Sequence, residues 1–293
     1  MSATLPARTE AVMGTLVTIE VPCSGADEAI DRAFGWFDEI ERRCSRFDEQ
    51  SELVQLSRHI GAPVTVSAIL FESVQFALTV AEETGGAFDP TVGHRMELHG
   101  FNREHRTGAA IRTGISLEDD VSYRDVHVDR NNGTIELRRP LTLDLGAVAK
   151  GLAIDTAARE LQRFTNFTID AGGDLYLGGH NPQGGPWRVG IRHPRTDDEL
   201  LDTLLVSNQA VCTSGDYERG RHILDPRTGK PAESVASATV VAPTAMLADA
   251  LATAVFVLGP VDGMSLLDRM GLEGLVVTPE LERYETRGLL HAA

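Results

Sequence analysis

The first residues able to do chemistry as a group lie between Leu143 and Leu161, where Gly146 and Gly151 bracket Ala147, Val148 and Ala149, and Lys150 stands before the second glycine. Small residues let backbone approach a ligand closely, and the free N–H groups at a helix start favour anions. The spacing predicts a short strand, a turn of small residues and a helix running on from Gly151. Two uses fit it: a phosphate held near Lys150, or a tight strand-to-helix turn with a solvated lysine. Neither Gly-x-x-x-x-Gly-Lys-Ser/Thr nor Gly-x-Gly-x-x-Gly is present, so this is neither the phosphate loop of the NTPases nor a dinucleotide fingerprint.

A second pair sits far downstream. Pro243-Thr244 opens a helical pattern from Ala245 through Leu258, stopped by Gly259, and within it Asp249 and Thr253 are one turn apart among apolar or small neighbours. A carboxylate and a hydroxyl on one such face are candidate ligands for a hard cation such as Mg²⁺. The alternative is a surface aspartate beside a threonine bonded back to its own helix. Between the two groups runs a dense polar stretch, Thr213-Ser-Gly-Asp-Tyr-Glu-Arg219 and His222-Ile-Leu-Asp-Pro-Arg-Thr-Gly229. Upstream, Ala87-Phe88-Asp89-Pro90-Thr91-Val92-Gly93 sets an aromatic and a carboxylate in a rigid turn. His94, His99 and His105 follow, but with no Cys/His pair or His-Glu-x-x-His helix they read as solvated loop histidines rather than a zinc site.

Composition bounds what these groups can serve. The 293 residues are 42% hydrophobic and 24% charged, as in a soluble globular protein, and the formal net charge of −16 (pI about 4.9) disfavours nucleic acid and anionic membranes as partners. A chain this acidic that binds a pyrophosphate needs a cation to offset the repulsion. Cys23, Cys44 and Cys212 are scattered and read as reduced thiols. No apolar run approaches ~18 residues, and the N-terminus lacks a basic region with an apolar core, so a cytoplasmic protein with no membrane span is expected.

The elements that must position these groups alternate between periods. Met13 to Val21 reads as a strand, Ser24 to Cys44 and the stretch after Ser67 to Gly85-Gly86 as amphipathic helices, and Val126 to Leu137 as a hairpin turning at Asn132-Gly133. Phe167 to Ile169 is a strand broken by Asp170-Ala-Gly-Gly-Asp174. Helices interspersed with antiparallel signals, without linkers or repeats, give an α+β class.

Taken in order, Met13-Gly-Thr, Phe88-Asp-Pro-Thr-Val-Gly93, Asp144-Leu-Gly-Ala-Val-Ala-Lys-Gly151, Asp170-Ala-Gly-Gly-Asp174, the Thr213–Gly229 run and Ala242-Pro-Thr-Ala-Met-Leu-Ala-Asp-Ala-Leu-Ala-Thr253 resemble the ApbE family of flavin transferases, which move FMN from FAD onto a threonine or serine of a target protein. The resemblance spans about Met13 to Thr286. It implies a single α+β domain over 1–293 (core about 11–287), with mixed or antiparallel sheets, flanking helices and a central FAD cleft. It implies Mg²⁺ on the pyrophosphate, held by Asp249, Thr253 and the carbonyl of Ala147, and flavin contacts from Met13, Phe47, Ala87, Phe88, Asp89, Asp144 and Lys150, with Ser214 and Ile223 as weaker assignments. Lys150 is then a contact with FAD, and Asp144 its partner at the strand end. His222 matches the family's catalytic histidine, taking the proton of a target hydroxyl that attacks phosphorus as AMP leaves. Asp225 or Asp216 could orient it. The alternatives are a Mg²⁺-dependent FAD pyrophosphatase releasing FMN and AMP, and a non-enzymatic flavin-binding protein. Two departures stand out: Cys23 follows too polar a segment for a lipobox, which implies a cytoplasmic target, and His99-Gly-Phe replaces the Trp-Gly-Phe common in relatives.

Overall fold

The fold opens on a two-residue turn with both residues left-handed. In the computed structural model, which describes residues 7–102, 110, 121–217 and 222–292, Met13 (φ 51°) and Gly14 (φ 71°) join β1 (Ala7–Val12) to β2 (Thr15–Glu20) as an antiparallel hairpin. Sequence patterning predicts the strand after Met13 and misses the one before it, because the turn carries Met where Asn or Asp is the usual signal. Glu41 props the unfavourable backbone, its carboxylate accepting from Met13 N at 3.2 Å.

The chain then runs through α1 (Asp27–Cys44), α2 (Glu52–Leu56), β3 (Val64–Thr65), α3 (Ala68–Glu83), α4 (Gly93–Leu98), β4 (Val126–Asp129) and β5 (Thr134–Leu137). Next come α5 (Gly146–Leu161), β6 (Phe167–Ala171), β7 (Asp174–Gly178), β8 (Trp187–Arg192), β9 (Leu200–Val206), β10 (Gln209–Gly215) and β11 (Ser237–Ala242). The chain closes with α6 (Ala245–Leu258), α7 (Pro260–Met270), β12 (Glu273–Val277) and β13 (Arg283–Glu285). Eight strands form one antiparallel sheet in the order β1-β2-β6-β7-β10-β11-β12-β13, while β3-β5-β4 and β8-β9 form two small sheets, so the class is α+β. Among the described residues no helix is long and apolar enough to cross a membrane.

The central sheet is covered on both faces. Helices α1, α5 and α6 join one face in the main core, with Phe37, Ile154, Leu251 and Phe256 almost wholly buried. On the other face the β8-β9 ribbon lays Trp187, Val189, Ile191, Leu204 and Val206 over Val211, Val241 and Leu275. All six residues of β11, the polar Ser237 and Thr239 included, are therefore buried, as expected of a strand with no solvent face.

Two local expectations are corrected. The Gly146–Lys150 run is the first turn of α5 rather than a turn preceding it: Asp144 Oδ1 accepts from Gly146 N at 2.8 Å, and the Leu145 carbonyl accepts from Val148 N and Ala149 N, so helical bonding is already under way. The double glycine at 172–173 is an ordinary hairpin turn joining β6 to β7, both residues having positive φ (66° and 96°). Gly172 also has no room for a Cβ, which would lie 2.2 Å from Thr15 Oγ1.

Helices α5 and α6 meet at a joint without slack. A Cβ on Gly151 would lie 2.4 Å from Met246 Cα, and one turn further along α5 the carboxylate of Asp155 accepts from Ala245 N at 2.7 Å and Met246 N at 3.0 Å. These are two of the N–H groups that an isolated helix leaves without partners, and Thr244 Oγ1 takes a third, from Leu247 N at 3.3 Å. Burial raises the Asp155 carboxyl to about 6; the two backbone N–H bonds and Arg159 pull it down, and Glu72 adds to the rise. A carboxyl that holds its proton more tightly when folded makes stability fall as pH rises from its ordinary value, near 3.8, through about 6. The unfolding free energy of the parent, relative to Asp155→Asn, is expected to drop by up to about 3 kcal/mol over that window. Urea denaturation at each pH measures it; a difference that does not change with pH would mean an ordinary carboxyl.

Candidate active site

The C-terminal part of α1, the start of α5, the end of β10 and one face of α6 enclose a cleft of about 1430 Å³. Every residue singled out from sequence as a flavin contact, metal ligand or catalytic group lines it, from Met13 in the first hairpin to Thr253 on α6. Their convergence follows from the sheet. The hairpins β1-β2, β6-β7 and β10-β11 bring Met13, Asp174 and Ser214 toward the two helices that carry Lys150, Asp249 and Thr253.

The floor is a cluster of charges. Lys150 is paired with Asp174, and its Nζ lies 3.9 Å from Asp249 Oδ2. Asp174 and Asp249 are both buried, at 3% and 7% exposure, and Asp174 Oδ1 also accepts from Thr213 N at 3.2 Å. Burial alone would lower the Lys150 pKa, but the charges of Asp174 and Asp249 outweigh it and raise it, so the ammonium is fixed. Burial, with the same carboxylates, pushes the neighbouring Cys212 thiol well above its usual range, which leaves it protonated and without thiolate chemistry. Cys212, Cys44 and the exposed Cys23 are all free thiols. The partner of Lys150 is thus Asp174, at the start of β7, and not Asp144 as the sequence suggests.

Asp144 belongs to a different wall. Its Oδ2 lies 2.7 Å from Nε of Arg46, an arginine only 7% exposed that sequence reasoning left unassigned. The same guanidinium donates to the Phe101 carbonyl at 2.5 Å and stacks 4.1 Å from the centroid of Phe47. Phe101 in turn meets the His222 ring edge-on, at 6.2 Å and 68°. Arg46 therefore ties Phe47, Asp144 and Phe101 into one surface beside His222. Phe101, from the His99-Gly-Phe stretch, and Arg46 build this wall.

Three acidic residues have structural duties that sequence could not separate from chemical ones. Asp89 accepts from Thr91 N, Thr91 Oγ1 and Tyr123 N within 3.0 Å, which shapes the turn, while burial holds its carboxyl above the ordinary range. Asp216 is gripped by both ends of the Arg195 fork at 2.7 and 2.9 Å, and Asp225 by Arg227 at 2.9 and 3.1 Å. Although burial acts the other way, Arg227 keeps the Asp225 carboxyl below its usual range. Both candidate orienters of His222 thus also hold an arginine. Arg95, from α4, donates to the Pro226 carbonyl and so anchors the loop that follows His222.

The floor can accept a hard cation. Asp174 and Asp249 bring two carboxylates against Lys150, a concentration of oxygen donors that suits a divalent cation. Asp249, Thr253 and Ala147 all border the cleft and offer a carboxylate, a hydroxyl and a carbonyl, oxygen donors of the kind Mg²⁺ prefers. Thr253 Oγ1 also bonds back to the Asp249 carbonyl and sits near Ser214 Oγ, both at 3.3 Å, and a hydroxyl oxygen has lone pairs for a further partner. Of the loop histidines, His105 lies outside the described residues. Among the described residues one grouping stands at metal-ligand spacing, Asp202, Glu285 and His291, and it excludes His94 and His99; Arg283 already bridges its carboxylates.

The chain is 32% identical over 320 residues to the FAD:protein FMN transferase of Treponema pallidum, spanning 97% of this chain and 87% of that protein. It is 30% identical over 254 residues to the FAD:protein FMN transferase of Haemophilus influenzae, spanning 80% and 73%. Among solved structures it resembles the ApbE protein from Thermotoga maritima, with a TM-score of 0.86 at 31% identity over 97% of both chains. It also resembles the flavin transferase ApbE from Vibrio cholerae, with a TM-score of 0.83 at 27% identity over 97% and 98%. The ApbE family profile matches residues 13–276, from the Met13 turn to β12, and this chain belongs to the ApbE family.

Proposed function

We propose that this chain is an FAD:protein FMN transferase, moving FMN from FAD to a serine or threonine hydroxyl of a target protein. The observation that carries the reading is the meeting in one cleft of a charged floor, an aromatic wall and His222. Phe47, backed by Arg46, offers a ring face to the flat flavin, with Met13, Ala87, Phe88, Asp89, Asp144, Ser214 and Ile223 completing that side. Lys150 presents a fixed positive charge to the pyrophosphate.

Asp249, Thr253 and the Ala147 carbonyl would hold Mg²⁺, which when bound supplies neutralisation of charge on the phosphoryl oxygens. His222 takes the proton of the acceptor hydroxyl as its oxygen bonds to the phosphorus nearer riboflavin; the bond to the other phosphate breaks and AMP leaves. Phe101, against the imidazole edge, limits the ring's orientation.

Incubation with FAD, Mg²⁺ and a protein carrying candidate Ser/Thr acceptors is expected to release AMP and leave a covalently fluorescent acceptor. AMP without labelled acceptor would point to the pyrophosphatase, and no AMP with FAD retained to a binding module. His222→Ala should retain FAD while transfer slows about 10²-fold or more; a parent-like rate would move proton removal elsewhere. Asp249→Ala should abolish activity at every Mg²⁺ concentration, and full activity in that variant would overturn the metal assignment.

A further inference from the structure

Asp155 is a buried charge that the proposed reaction does not use. It lies on α5, yet its hydrogen bonds go to the first residues of α6, a helix that Thr244 already caps. Ala147, Gly151 and Asp155 are spaced by four along α5, and Ala245, Asp249 and Thr253 by four along α6, so each set lies along one side of its helix. Asp155 meets Ala245 and Met246 while Lys150, earlier on α5, reaches Asp249, later on α6, so the helices run antiparallel, and the three oxygen donors stand beyond the joint on the cleft side.

The distance between the joint and the donors gives it leverage. At 1.5 Å rise per residue, Ala147 lies ~12 Å along α5 from Asp155, and Thr253 ~12 Å along α6 from Ala245. A change of ~10° in the crossing of the helices would move donors at that distance by ~2 Å. Mg²⁺ requires near-octahedral oxygens at about 2.0–2.1 Å, whereas Ca²⁺ accepts about 2.3–2.6 Å and irregular shells. Gly151 permits the close approach and Asp155 fixes it from the side, so neither helix can roll or withdraw without breaking a buried bond or opening a gap.

We propose that Asp155, together with Gly151, is a positioning residue that sets the span between the start of α5 and the donors on α6, and so confers selectivity for a small divalent cation on the cleft. This rests on the reading of Asp249, Thr253 and Ala147 as the metal ligands. Asp155→Asn keeps the side chain's shape but has one acceptor oxygen where the carboxylate has two, so one of the two N–H groups of α6 loses its partner.

The test measures Mn²⁺ binding to the FAD-free protein by electron paramagnetic resonance, with Mg²⁺ and Ca²⁺ as competitors, for the parent, Asp155→Asn, Gly151→Ala and Asp249→Ala, each checked for folding by circular dichroism. Asp155→Asn should weaken Mg²⁺ about 10-fold or more and Ca²⁺ distinctly less, lowering the ratio of the two affinities; Gly151→Ala should shift the ratio the same way. Unchanged affinities, or equal losses for both cations, in a folded Asp155→Asn or Gly151→Ala overturn the positioning role. If Asp249→Ala binds Mn²⁺ like the parent, the ligand assignment itself fails and the inference with it. Loss of binding in Asp249→Ala with an unchanged ratio in the other two would overturn the inference alone.

Discussion

Two buried carboxylates share one lysine at the floor of the cleft, and the surrounding architecture serves that arrangement. Asp174 arrives on β7, Asp249 on α6 and Lys150 on α5, so the sheet and both helices must close together before the charges can meet. Removing such groups from water is costly unless they are paired. The two carboxylates keep Lys150 protonated and supply oxygens of the kind a hard cation prefers. A net charge of −16 would otherwise oppose a pyrophosphate substrate. The local cluster, and not the overall balance, decides what the cleft can hold.

The wall beside the floor is built on a different economy of charge. Arg46 is buried, yet its partners are a carboxylate, a carbonyl and an aromatic face, so a single guanidinium organises Asp144, Phe101 and Phe47 together. Met13, with φ of 51°, is held in a conformation that costs a non-glycine residue energy, at a position bordering the same cleft. Glu41 holds its amide, and the pairing of Val12 with Thr15 confines it to a two-residue turn. Strain at Met13 and burial of Arg46 are thus supported by packing elsewhere, chiefly the α1–α5–α6 layer.

The helices were the most legible part of the fold. The apolar period from Ala245 to Leu258, with Thr244 before it and Gly259 after it, marks α6 to the residue, because capping and periodicity are local properties. The small-residue run at Gly146–Lys150 was harder. Its composition suits a turn or a first helical turn equally, and the Asp144 and Leu145 acceptors decide for the helix. Strand β1 was missed because its turn carries Met13 rather than Asn or Asp, and nothing local signals a backbone held by Glu41 from α1.

What the sequence determined by itself was the inventory: an α+β chain, the candidate groups for a cation, a phosphate and a proton, and the family whose motifs they follow. The one-turn spacing of Asp249 and Thr253 is a property of any α-helix, so their common face needed no tertiary knowledge. Partnership was another matter. That Lys150 answers Asp174 and Asp249 rather than Asp144, that Arg46 claims Asp144, and that Arg195 and Arg227 claim Asp216 and Asp225 depend on which strands lie side by side. Asp155 is the clearest case, an acidic residue on a helix that only the antiparallel packing of α5 against α6 turns into a cap. Side-chain chemistry is encoded residue by residue, whereas the pairing of charges depends on distances between segments far apart in the chain, and only the folded structure sets those.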